Sequence, residues 1–251
     1  MTDIIIHGCA GQMGRVLAAM AAADPDCNVV AGADRETEEA FAFPFFTNLR
    51  DCDIAADVVV DFSVASATDA LLDACAEKGL PLVLCTTGLS EEQTQKMHET
   101  AKRVAVLKSA NMSLGINLLL RLVKEITPVL HDAGFDLEIV EQHHRRKVDA
   151  PSGTAIALAD AAKEAVRNAD LSYVFDRSGV RKKRGEDEIG ISAVRGGTIV
   201  GEHDLIFAGE DEVITIRHTA YSRAIFAKGA LTAAKFLAGK PPGMYSMEDL
   251  V

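Results

Sequence analysis

Five consecutive residues, His143-His144-Arg145-Arg146-Lys147, are basic or protonatable in a chain whose formal net charge is −11. An anionic protein repels anionic ligands, so a compact patch of positive charge marks where one would be tolerated. Pro151-Ser152-Gly153-Thr154 follows, and Pro, Ser and Gly in that order signal a helix start. The backbone N–H groups of Gly153 and Thr154, with the Thr154 hydroxyl, would form an anion site at that helix end. A carboxylate docked there could also meet Lys147, an arrangement that suits a small dicarboxylate. Histidine titrates near neutral pH, so a His beside Lys can supply a proton while the Lys fixes substrate charge. On extended backbone His143 and His144 point to opposite sides, so at most one of them faces the reacting centre unless the loop turns. No HxxxH, HxH or nearby Cys accompanies them, and no metal is expected.

A second constellation lies at the N-terminus. Gly8-Cys9-Ala10-Gly11-Gln12-Met13-Gly14 directly follows the apolar run Ile4-Ile5-Ile6. Glycines in such a strand–turn–helix serve a tight turn, close approach to a pyrophosphate and helix–strand packing, and the helix N-terminus supplies N–H groups for phosphates. Arg15 adds a point contact one residue further on. Twenty residues after Gly14 come Asp34 and Arg35. The acid can accept hydrogen bonds from ribose hydroxyls, as in NAD sites, and the Arg can meet the 2′-phosphate of NADP. NADH and NADPH therefore both remain open. Cys85-Thr86-Thr87-Gly88 and Ser109-Ala110-Asn111-Met112 follow two further apolar runs, at the strand ends where open α/β sheets bind ligands.

These residues need a frame. Short apolar runs at 3–7, 28–33, 58–62, 82–85 and 104–108 read as strands, with helices at 15–23, 68–78 and 91–102. That alternation predicts a parallel sheet covered on both faces. The pattern changes near residue 112. A helix at 115–130, a strand at 136–142 and a helix from Pro151 to about 167 precede a charged loop at 176–188. A β-meander is expected next: strands at 189–194 and 198–208 around Arg195-Gly196-Gly197, then 213–220. A last helix spans 224–238. The 48% hydrophobic and 25% charged composition is that of a globular protein. The acidic charge argues against nucleic acid and anionic lipid as partners. The five Cys all precede residue 86 and form no CxxC pair, so neither disulfides nor a zinc ribbon is expected. With no signal peptide or membrane-length apolar run, a cytoplasmic protein is expected.

The motifs GCAGQMGR (8–15), VVDFS (59–63), CTTG (85–88), SANMSLGIN (109–117), EQHHRRKVDAPSGTA (141–155) and RGGTIVGEH (195–203) resemble the dihydrodipicolinate reductase (4-hydroxy-tetrahydrodipicolinate reductase) family, in the family's order. The resemblance implies NAD(P)H-dependent reduction of a cyclic imine dicarboxylate, with loss of water, in lysine and diaminopimelate biosynthesis. It implies a dinucleotide-binding Rossmann domain of 1–111 and 221–251. It also implies an α+β domain of 112–220 with an open mixed sheet that binds substrate and builds a homotetramer. By the same resemblance His143 is the acid/base, His144 a substrate contact and Lys147 both catalytic and substrate-binding, while Gly153 and Thr154 hold a carboxylate. The cofactor-binding set is Gly8, Gly11, Gln12, Met13, Gly14, Arg15, Asp34, Arg35, Cys85, Thr86, Thr87, Ser109, Asn111 and Met112. Cys85 departs from the family's usual GTTG. Read from the residues alone, another Rossmann oxidoreductase for a small dicarboxylate, or a non-catalytic dinucleotide-binding redox sensor, stays open.

Overall fold

The computed structural model describes all residues except 36–39, 110, 168–169, 176, 180 and 251. The chain forms two compact units, Met1–Leu114 with Ala224–Val251, and Gly115–Arg223.

The first unit contains β1 (Thr2–His7), α1 (Gln12–Ala22), β2 (Cys27–Ala33), β3 (Phe45–Phe46), β4 (Val58–Asp61), α2 (Thr68–Lys78), β5 (Leu82–Leu84), α3 (Glu91–Ala101) and β6 (Ala105–Lys108). After the second unit's α4 (Leu114–Asp132), β7 (Asp136–His143), α5 (Gly153–Ala165), β8 (Ser172–Val174), β9 (Glu188–Arg195), β10 (Gly201–Ala208) and β11 (Val213–Ala220), the chain returns with α6 (Ala224–Leu237) and β12 (Gly243–Tyr245). The first sheet is parallel throughout, in the order β12-β6-β5-β4-β1-β2-β3. This is the Rossmann order with β12 added at one edge. Side chains alternate across a strand, and here both faces are covered. Ile4, Ile6, Val58, Val60 and Val83 join α1 and α6 in one core. Ile5, Val59, Leu82 and Leu84 join α2 and α3 in the other. Continuous apolar runs are what burial on both faces demands.

The second sheet is mixed, in the order β11-β10-β7-β9-β8. Leu137, Ile139, Ile189, Ile191, Leu205 and Phe207 pack one face against α4 and α5. On the opposite face, ion pairs join Arg184 to Asp136 and Arg217 to Asp204 at 2.6 and 2.5 Å.

The expected meander is only half present. β10 and β11 form a hairpin, but β9 runs parallel to β7, which lies between β9 and β10. The Gly-Gly turn is therefore a crossing over the C-terminal end of β7. Residues 198–200 belong to it, and β10 starts only at Gly201. The reason is burial: β7 carries Ile139 at 0% exposure and fills the central slot, paired on both sides. β3, β8 and β12 are short strands the sequence pattern does not predict. The loop expected at 176–188 lies partly outside the described residues.

Candidate active site

In the first unit the parallel arrangement brings the C-terminal ends of β1, β2, β4, β5 and β6 to one edge. The Gly-rich turn leaves β1 there. Gly8 has φ +81°, and a Cβ on Gly14 would lie 2.2 Å from the Gly8 carbonyl oxygen, so α1 can pack this closely only without one. α1 has no side-chain cap and no acid in its first turn, which leaves its positive end for an anion. Gly11 and Gln12 are exposed, while Met13 packs partly into the core. Arg15 Nε donates to the Ala10 carbonyl at 2.9 Å. The Asp34 carboxylate accepts the N–H groups of Ala10 and Arg35 at 2.9 and 2.8 Å, which ties the end of β2 to the turn, and Arg35 itself is exposed. These residues fit a dinucleotide.

Beneath that edge lies a polar network. Asp61, fully buried, takes His7 Nδ1 at 2.7 Å, the Thr86 hydroxyl at 2.5 Å and the Ser63 N–H at 3.1 Å. Burial opposes its charge, yet these hydrogen bonds hold the carboxyl below the usual range. Lys108 Nζ donates to the Thr86 carbonyl at 2.7 Å, so Thr86 is gripped at both its hydroxyl and its carbonyl. Burial, with Asp61 nearby, pushes the Cys85 thiol up, so Cys85 is no nucleophile at neutral pH. Thr87 is exposed and Ser109 half-buried. Ala110 lies outside the described residues. Asn111 Oδ1 accepts the Ser113 N–H at 2.8 Å. Met112 is a core residue, 5% exposed, whose side chain is spent in packing.

In the second unit, the inward positions of β7 run Leu137, Ile139, Glu141, His143. The last two turn an apolar face into a polar one. Glu141, 0% exposed, accepts His143 Nδ1 at 2.6 Å, the Ser152 N–H at 3.0 Å and a bidentate Arg195 guanidinium at 2.6 and 2.7 Å. Burial resists ionisation of Glu141, but Arg195 and His143 hold it below the usual carboxylate range. An ionised carboxylate can only accept, so Nδ1 of His143 carries its proton and Nε2 is left for exchange. Burial pushes His143 below the ordinary imidazole value, with Glu141 opposing and Lys147 and Arg195 adding. A Cβ on Gly201 would lie 3.0 Å from His143 Nε2, so glycine keeps that atom clear. His203 meets the His143 ring edge-on at 5.2 Å, and its Nε2 shares a 2.9 Å hydrogen bond with Ser152 Oγ. Ser152 Oγ also caps α5 by accepting the Ala155 N–H at 3.1 Å.

His143, Lys147 and the α5 start are thus brought together. His144 joins them through its backbone, its carbonyl accepting the Lys147 N–H at 3.0 Å. Its Nδ1 is buried with no partner among the described residues. Gly153 is exposed and Thr154 half-buried at the first turn of α5. Sequence reasoning missed Glu141, Ser152, Arg195 and His203 as parts of one network. The available signal was an acid at an inward strand position, which has to be paired. Among the described residues no group of three or more His, Cys, Asp or Glu converges as a metal site, and no helix is long and apolar enough to cross a membrane.

A Rossmann sheet with a separate mixed-sheet unit carrying a carboxylate-held imidazole defines an NAD(P)H-dependent oxidoreductase. Two family models, described as the N-terminus and the C-terminus of dihydrodipicolinate reductase, match residues 2–112 and 115–251. The 4-hydroxy-tetrahydrodipicolinate reductase of Caldanaerobacter subterraneus subsp. tengcongensis is 52% identical over 251 residues, covering 100% of this chain and 98% of its own. That of Thiobacillus denitrificans is 42% identical, with 99% and 97% covered. Dipicolinate-bound dihydrodipicolinate reductase from Paenisporosarcina sp. TG-14 shares the fold, with a TM-score of 0.84 at 23% identity over 100% of both chains. The chain belongs to the dihydrodipicolinate reductase family.

Proposed function

We propose that this protein reduces 4-hydroxy-tetrahydrodipicolinate to tetrahydrodipicolinate, with loss of water, in lysine and diaminopimelate biosynthesis, as a cytoplasmic homotetramer. The observation that carries the reading is the Glu141–His143 pair, joined through Ser152 to the N-terminus of α5 and facing the charge of Lys147. When bound, a reduced nicotinamide dinucleotide supplies the hydride. Gly8, Gly11, Gln12, Met13, Gly14 and Arg15 would hold its pyrophosphate, Asp34 and Arg35 its adenosine half, and residues 85–87, 109, 111 and 112 its nicotinamide half. Asp34 suits a free ribose and Arg35 a ribose phosphate, so the cofactor is NADH or NADPH.

His143 delivers the proton from Nε2. Its lowered pKa keeps the ring neutral without ligand, and an arriving dianion reverses that, because nearby negative charge favours the imidazolium. Lys147, His144, Gly153 and Thr154 would take the two carboxylates. The residues 1–111 and 221–251 form the dinucleotide-binding domain in this reading, and 112–220 the substrate-binding and assembly domain.

The test is oxidation of NADH and of NADPH by the purified protein with this substrate, KM being measured for both. His143→Ala should lower kcat by about 10²–10⁴, the usual worth of a general acid. Wild-type kcat in that variant rejects the role. Absence of turnover with either dinucleotide rejects the function.

A further inference from the structure

One of the groups proposed for a substrate carboxylate, Lys147, is already engaged by a carboxylate of the chain itself. Asp149 follows Lys147 by two residues and precedes Gly153 by four. Its Oδ2 accepts Lys147 Nζ at 2.9 Å. The Lys147 hydrogen bond, more than any other influence, holds this carboxyl below the usual range. Backbone and side chain are fixed very differently at this residue. The Asp149 carbonyl accepts Arg195 Nη2 at 2.6 Å, anchoring the main chain to the Glu141 network. The carboxylate is 59% exposed and can swing into water without disturbing that anchor.

We infer that Asp149 is a specificity-determining residue. It stands in for a ligand carboxylate on Lys147, and a ligand carboxylate must displace it to bind there. The inference rests on the substrate reading above and adds to it the group that the substrate competes with. Replacing one carboxylate by another conserves the charge facing Lys147. A neutral group offered at the same place meets an ion it cannot outcompete, so the site rejects rings lacking a carboxylate there. The apparent affinity is the intrinsic affinity times the fraction of molecules whose donors are free. An exposed ion pair is individually weak. At about 0.2–1 kcal/mol it occupies Lys147 more often than not without locking it, so removing the competitor gains about two- to sixfold in affinity.

The experiment is calorimetric titration of the full-length protein, saturated with reduced dinucleotide, by dipicolinate, a rigid planar dicarboxylate. Asp149→Asn and Asp149→Ala should both bind it about two- to sixfold more tightly than wild type. Asp149→Glu, which keeps a competing charge, should stay closer to wild type. The direction is informative, because damage to the loop would loosen binding. Unchanged or weaker binding by both neutral variants, with wild-type melting temperatures, overturns the inference and leaves the substrate reading standing. If wild type itself fails to bind dipicolinate, the substrate reading falls and the inference with it.

Discussion

His203 shows how the second unit couples stability to proton concentration. It is 4% exposed, and its Nδ1 has no partner among the described residues. Burial, reinforced by neighbouring His143, pushes it from the usual 6.5 down to about 4. Between those values the unfolded chain binds the extra proton and the folded one does not, so stability rises with pH and is lost as pH falls below 6.5. At about pH 5 the loss from this residue alone is about 2 kcal/mol. Urea midpoints at neutral pH and near pH 5 should show it, and His203→Gln should show a smaller drop. An equal drop in the variant assigns the effect elsewhere. Neither His203 nor Arg195 was legible as part of the site. Arg195 reaches Glu141, and His203 reaches Ser152, from strands distant in the chain, and sequence spacing carries no register. His143 and Lys147 were legible because their neighbours in the chain are also their neighbours in space.

At the scale of elements, the β1–α1 turn is fixed by contact distance. Gly14→Ala places a methyl 2.2 Å from the Gly8 carbonyl, so α1 has to move off the turn. Overpacking of this kind costs about 2 kcal/mol, which lowers the melting temperature of a protein this size by roughly 5 °C. Calorimetry should record that shift, and fluorescence titration should record lost dinucleotide binding. Wild-type values for both contradict the close-approach argument. The five parallel strands β1, β2, β4, β5 and β6 could be read from the sequence because burial on both faces leaves largely apolar runs, even in three-residue β5. β3, with two residues, and β8 and β12, with Ser172 and Gly243 among their three, offer no such run. The β9–β10 connection misled because a Gly-Gly turn reports that the chain bends, not which strand it then joins.

The whole molecule has one sheet covered on both faces and one that packs α4 and α5 on a single face. Side-chain alternation puts Val140, Val194 and Ile206 on the opposite face of the second sheet, and Val194 is 45% exposed. Apolar side chains on such a face are candidates for association, and the proposed tetramer would use them. Sedimentation equilibrium should return a tetramer mass for wild type. Val194→Lys should lower that mass, because a desolvated unpaired charge at an interface costs several kcal/mol. A wild-type monomer would discard the assembly. The sequence pattern switches near residue 112, and the compact units divide at Leu114. The return of the chain to its first unit was not readable from periodicity, because an Ala-rich helix looks the same wherever it docks.

That returning helix has a consequence for how the protein is made. Ala227, Ala230, Leu231, Ala233, Ala234 and Leu237 of α6 complete the core begun by Ile4 and Ile6. A ribosome adding about 5–20 residues per second needs roughly 5–20 s for the intervening segment of about 110 residues. Throughout that interval the nascent first unit holds an apolar sheet face that α1 covers only in part, while the segment after it can already collapse. The domain started first is finished last, and the newborn chain is most open to aggregation, or to capture by a chaperone, during that wait.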